Sequence, residues 1–370
     1  MPKKGCIDKS INDKGLLVIK SVWEMQEDRV MKMISSFASE DDDETFTLFG
    51  SNIAPAESTA LFKFLSHIKN LKKLQMIDCT VTNITIRELA EFLKKDNHGL
   101  ENDNCELIVL HVSDNRGLTT EGVKYLSYAL KNDNCKLTKL DVRNNVLTTE
   151  DVKYLSYALK NDNCKLTELD VSGNDLTTEH VKYLSDALKN DNCKLTELYV
   201  RGNDIKTEGV KYLSDALKND NCKLTKLDVS YNHLRTEGVK YLSDALKNDN
   251  CKLTELYVSD NDIKTEGAKY LSDALKSDNC KLTKLDVSGN DLRTEGVKYL
   301  SDALQNDNCK LTELYVSYNN LKTEGVKYLS HALKNDNCKL TKLDVRNKDL
   351  TTEDIEYLSD AKSGNCKLIY

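Results

Sequence analysis

Residues Cys164 to Asn192 read CKLTELDVSGNDLTTEHVKYLSDALKNDN, and almost the same run begins again at Cys193, Cys222, Cys251, Cys280 and Cys309. Within it, Leu166, Leu169 and Val171 carry the spacing of a short strand with one buried side. Ser172 to Asp175 is turn chemistry. Val181, Leu184, Ala187 and Leu188 then fall at i, i+3, i+6 and i+7, one apolar stripe of a helix. Thr177 or Thr178 is a natural N-cap, and Glu179 suits the positive end of the helix dipole. Asn190 to Asn192 end the helix and return the chain to the next strand. Each unit is thus one strand and one antiparallel helix, too small to bury its own apolar face, so neighbours must stack. Strands stack about 4.8 Å apart while a helix is about 10 Å across, so the stack must bend with its strands inside. The predicted fold is α/β: a solenoid curved into a horseshoe, with a parallel β-sheet on the concave face and α-helices on the convex face.

Leu166, Leu169, Val171, Asn174 and Leu176 follow the pattern L-x-x-L-x-L-x-x-[N/C]-x-L. Ten units carry the leading leucine, at 71, 107, 137, 166, 195, 224, 253, 282, 311 and 340, and Phe46, Leu48 and Ile53 resemble a degenerate eleventh. Over residues 44–370 the chain resembles leucine-rich repeat proteins. The period, the cysteine before Lys-Leu and the TEGVKYL helix are similar to the ribonuclease-inhibitor-like class. The resemblance implies a ladder of asparagines bonding turn backbone between repeats: Asn115, Asn145, Asn174, Asn203, Asn232, Asn261, Asn290 and Asn319, with Cys79 as the permitted variant. Lys348 breaks that ladder, since a buried lysine there would be costly. Residues 1–43 read as an N-terminal cap, helical over 16–38 and carrying Trp23, and the acidic run Glu40 to Glu44 as a solvated loop. Extra residues sit near 94–102, and the closing CKLIY begins a strand and stops.

The totals exclude several classes. The chain has 370 residues, 39% hydrophobic and 31% charged, with net charge −7. That balance argues against nucleic acid as a partner, and no apolar stretch is long enough to span a membrane. The first twenty residues lack the apolar core of a secretion signal. Ten cysteines occupy one repeat position, where equivalent side chains point the same way and would have to turn to pair. They read as reduced core residues, placing the protein in a reducing, cytoplasmic compartment. The six histidines are scattered, no cysteine pair has zinc-ligand spacing, and no phosphate-binding loop is present. No enzyme activity, cofactor or metal is expected.

What varies is the strand surface. Strand positions 3, 5, 7 and 8, counted from the leading leucine, point to the concave face, with position 10 on its rim. From Cys193 onward, positions 3 and 5 alternate Glu with Tyr and Lys with Asp, so the true repeat there spans 58 residues, the mark of recent duplication. Over the concave and rim positions acids outnumber bases by about two to one, a field that steers basic partners. The candidate partner-binding residues are Tyr199, Tyr257, Tyr315, Tyr231, Tyr318, Arg201, Asp228, Asp286 and Asp170. Tyrosines are good contact anchors, yet duplicated copies can equally pave the sheet, and both readings stand. The expected function is a non-enzymatic protein–protein interaction module, acting as a monomer on a partner protein with a basic surface. Near-identical Lys/Asn/Asp-rich repeats suit a young array from an intracellular bacterium, delivered into a host cytosol as an effector. The alternative is a GTPase activator, since Ran GTPase-activating proteins resemble this scaffold. The long acidic tail of those proteins has no counterpart here, and no residue matches their catalytic asparagine.

Overall fold

A computed structural model describes residues 10–11, 13–26, 29–30, 45–68, 70–95, 106–347, 350–361 and 366–370. The chain packs as two compact units, 1–174 and 175–370. In the first, β1 (Ser10–Ile11) and α1 (Asp13–Glu24) precede β2 (Thr45–Phe49), α2 (Pro55–Leu65), β3 (Lys73–Ile77), α3 (Asn83–Leu93), β4 (Val109–His111), α4 (Thr120–Leu130), β5 (Lys139–Asp141), α5 (Thr149–Leu159) and β6 (Glu168–Asp170). The second runs α6 (Thr178–Leu188), β7 (Glu197–Tyr199), α7 (Lys206–Leu217), β8 (Lys226–Asp228), α8 (Arg235–Leu246), β9 (Glu255–Tyr257), α9 (Lys264–Leu275), β10 (Lys284–Asp286), α10 (Arg293–Leu304), β11 (Glu313–Tyr315), α11 (Thr323–Leu333), β12 (Lys342–Asp344), α12 (Thr352–Ala361) and β13 (Lys367–Ile369).

Within each unit, strands pair in parallel with their chain neighbours, and equivalent residues face each other: Lys139 opposite Glu168 in the first, Lys226 opposite Glu255 in the second. Strands form one layer and helices the other. The degenerate unit is present as β2, with Phe46, Leu48 and Ile53 buried. One strand has no sequence signal: β1, whose Ser10 lies opposite Thr47. Of the predicted cap helix, Asp13–Glu24 is described, burying Leu16, Ile19 and Val22. The acidic run Glu40 to Glu44, residues 96–105, Lys348 and Asp349 lie outside the described residues.

A single repeat shows how the core closes. Leu227 of β8, Leu224 and Val229 on either side of that strand, and Val239, Leu242 and Leu246 of α8 are all essentially inaccessible. At about 1.5–3 kcal/mol for each fully buried aliphatic side chain, this stacking is the dominant favourable term. Cys222 fills a niche in the same core. Cys79, Cys135, Cys222, Cys251, Cys280 and Cys309 are free thiols, all buried. Burial pushes Cys222 and Cys280 up to about 11.

The asparagine ladder runs as the resemblance implies. Asn232 donates through Nδ2 to the carbonyls of Val200, Val229 and Ser230, and its own N–H donates to Asn261 Oδ1. In the first unit Cys79 joins the series, its N–H donating to Asn115 Oδ1 at 2.8 Å. Three further ladders link the repeats. Thr225 Oγ1 donates to the Thr196 carbonyl, and Thr254 to that of Thr225. Asn250 Nδ2 donates to the Lys218 carbonyl. Lys252 Nζ bridges the carbonyls of Asp220 and Cys222, both at 3.0 Å. The Asn-Asp-Asn-Cys-Lys run therefore ties each helix end to the preceding repeat, beyond merely ending the helix. The expected N-cap residue holds at α6, where Thr177 is the N-cap and its N–H donates to His180 Nδ1. In α7 to α10 the helix starts one residue earlier without a side-chain cap, a lysine or arginine such as Lys206 standing where Thr177 does. Thr207 Oγ1 donates to the Leu234 carbonyl of the next repeat, as Thr178 donates to that of Ile205.

Candidate partner-binding face

Alternation fixes what each strand shows. Leu198, Leu227, Leu256, Leu285 and Leu314 point into the core, so the residues on either side stand on the open face of the sheet. Strand pairing in the second unit then produces two rows. Position 3 reads Glu197, Lys226, Glu255, Lys284, Glu313, Lys342, and position 5 reads Tyr199, Asp228, Tyr257, Asp286, Tyr315, Asp344.

The rows interlock. Each strand tyrosine leans back to its own glutamate: Tyr199 OH donates to Glu197 Oε2 at 2.7 Å, Tyr257 to Glu255 at 2.7 Å and Tyr315 to Glu313 at 2.6 Å. Lys226 sits between two glutamates, 3.6 Å from Glu197 and 3.8 Å from Glu255, and over the rings of Tyr199 and Tyr257 at 4.9 and 5.7 Å. Lys284 repeats the arrangement with Tyr257 and Tyr315. Burial, reinforced by the bond to Glu313, pushes the Tyr315 phenol up to about 12, and burial with the bond to Glu255 raises Tyr257. Tyr199, Tyr257 and Tyr315 thus form a half-buried floor whose polar ends are held from within.

Tyr231 and Tyr318 differ. They are 46% and 56% exposed, and both adopt left-handed backbone, φ 57° and 55°. Sister repeats place Gly173, Gly202 and Gly289 there, the residue this conformation favours. Arg201 lies over the Tyr231 ring at 4.6 Å. Asp260 holds the position between them in φ 53°, and a Cβ built on Gly289 would come within 2.3 Å of its carboxylate. The glycine leaves room for that acid to lie across the next turn, a role sequence reading missed. Its signal was the Gly–Asp–Tyr variation at one repeat position.

Charge is unevenly compensated. Arg346 clamps Asp344, which also accepts from Ser317, and burial is outweighed by these bonds, so Asp344 stays below the usual carboxylate range. Asp286 is the same strand position without an arginine. Burial raises it, although Ser288 N–H donates to it. The rim acids expected to add negative field are largely neutralised, Asp204 by Lys206, Asp262 by Lys264 and Asp291 by Arg293. Asp170 lies in the first unit, opposite Asp141 on β5, and is raised by burial first and then by that neighbour. Of the nine candidates, eight share the second unit and Asp170 does not. Among the described residues no cluster of histidine, cysteine, aspartate or glutamate could hold a metal ion, and no helix is long and apolar enough to cross a membrane.

The family model described as "Leucine Rich repeat" matches eight segments: 103–127, 133–156, 162–185, 191–214, 220–243, 249–272, 278–301 and 307–330. The chain belongs to the leucine-rich repeat family. No curated protein matches its sequence. Among solved structures this leucine-rich repeat protein is similar to an internalin from Listeria monocytogenes, 16% identical over 88% of this chain and 86% of that one, with a TM-score of 0.46. Leucine-rich repeats and the open, variable sheet face are features of a protein–protein interaction module.

Proposed function

We propose that this leucine-rich repeat protein is a non-enzymatic binding module whose open sheet face grips a partner protein with a basic surface. The observation that carries the reading is the pair Tyr231 and Tyr318: large, exposed aromatics held in a backbone conformation that costs energy for anything but glycine. Both rings stand outside the core, and Tyr231, held by Arg201 over its ring and by Asp260, is set as a contact surface on the open face. Tyr199, Tyr257 and Tyr315 serve as the rigid floor beneath the contact, and Asp228 and Asp286 supply negative charge. Buried thiols suit a reducing compartment, the cytosol of the producing cell or of a host into which the protein is delivered.

The test is capture from cell lysate by the full chain, compared with a Tyr231→Gly/Tyr318→Gly variant and a Tyr199→Ala/Tyr257→Ala/Tyr315→Ala variant. Glycine at 231 and 318 should abolish capture of a specific protein while leaving the melting temperature intact. Equal capture by wild type and the glycine variant would refute the assignment.

A further inference from the structure

We propose that the second unit's open face takes an extended basic segment of the partner, laid across the strands so that its cations meet Asp228 and Asp286. This rests on the protein-binding reading above and adds the partner's chemistry and spacing. The argument is one of charge complementarity. Glu197, Glu255 and Glu313 are neutralised from within by the lysines of the neighbouring strands, and Asp344 by Arg346. No ion pair among the described residues includes Asp228, Asp260 or Asp286. The surplus negative charge of the face is therefore local, in the middle of the unit, between the exposed rings of Tyr231 and Tyr318. Arg201 over the Tyr231 ring and Arg346, which acts on Asp286 at longer range, offset part of it without pairing, and further cations to match it must come from outside.

Spacing selects the form of the segment. Asp228 and Asp286 occupy the same strand position two strands apart, about 10 Å at ~4.8 Å per strand. In a polyproline II segment every third residue returns to one face after about 9 Å. A β-strand returns after about 7 Å, too short for both carboxylates. Tyr231 and Tyr318 lie three strands apart, about 14 Å, and offer rings on which proline or aliphatic side chains of such a segment can rest. Asp260, reaching across Gly289, keeps the stretch between the rings acidic.

Fluorescence anisotropy tests this with labelled Gly-Arg-Pro-Pro-Arg-Pro-Pro-Arg-Gly on the full chain. Controls are a version with glutamate for arginine, one with arginine at every second position, and a helical peptide with arginines seven apart. The first peptide should bind best, weakening with salt. Asp228→Asn/Asp286→Asn should weaken it at least about tenfold, the loss of charge-assisted bonds, with an unchanged or higher melting temperature. Equal affinity for that variant, or tighter binding of any control peptide, overturns the inference. Should no arginine peptide bind while the tyrosine-to-glycine variant still loses its captured protein, the basic-segment inference falls and the binding module stands. Should capture survive the aspartate and tyrosine changes alike, both fall.

Discussion

At the scale of single residues, one side chain decides the chemistry of its neighbour. Asp344 and Asp286 hold the same strand position, yet one is depressed and the other raised, because Arg346 stands where the sister repeat has Ser288. The depressed Asp344 contributes stability that is present above its unfolded pKa and lost as pH falls through its folded one. Asp286 has the opposite sign: protonation relieves its burial, so it favours the fold increasingly as pH drops through its raised value. Arg346→Ser should move the Asp344 titration, followed by carboxyl NMR, from below the ordinary carboxylate range to above it. No upward movement would remove the arginine as cause. At Tyr318 the backbone makes its own forecast. Tyr318→Gly should be more stable than Tyr318→Ala by about 1 kcal/mol in chemical denaturation, and the reverse order would contradict left-handed geometry. Asn232→Leu strands several buried carbonyls and should cost about 2–4 kcal/mol by the same measurement. The ladder asparagine was legible in the sequence because its period marks it. The strain at Tyr231 and Tyr318 was written only in the glycines of their sister repeats, since tyrosine in a turn carries no letter of its own for its φ.

At the scale of elements, the strand and helix of each unit follow directly from alternation and from the 3.6-residue stripe, and the boundaries fall close to where those patterns stop. One strand and four helices departed. The strand β1 is two residues long and rests on pairing with β2, which no local pattern announces. Helices α7 to α10 begin without the threonine cap, because a cationic residue such as Lys206 or Arg235 stands at the Thr177 position and takes the left-handed turn at their start. Ladders between elements were the least legible part. Asn250 and Lys252 looked like a polar helix stop, and only stacking shows that both reach back to the previous repeat. Asn250→Ala should therefore lower stability by about 1–2 kcal/mol, an outcome that a solvent-facing asparagine would not give.

At the scale of the molecule, nearly every unit repeats one core, so solvent reaches the thiols only by opening the stack. With Cys222 and Cys280 pushed up to about 11, iodoacetamide at about pH 8, near the ordinary thiol pKa, should label them only at the rate of unfolding, read by mass spectrometry. Fast labelling of the folded chain would contradict their burial. The alternation of Glu and Lys along the rows bears on the length of the array itself. Excising a 58-residue pair such as 224–281 places Glu197 beside Lys284 and preserves every attraction. Excising 29 residues, 224–252, sets Glu197 against Glu255, like charges directly opposite. A gene that grows or shrinks by unequal crossing-over between such copies is thereby biased toward even steps, and the parity of its repeat number becomes an inherited trait.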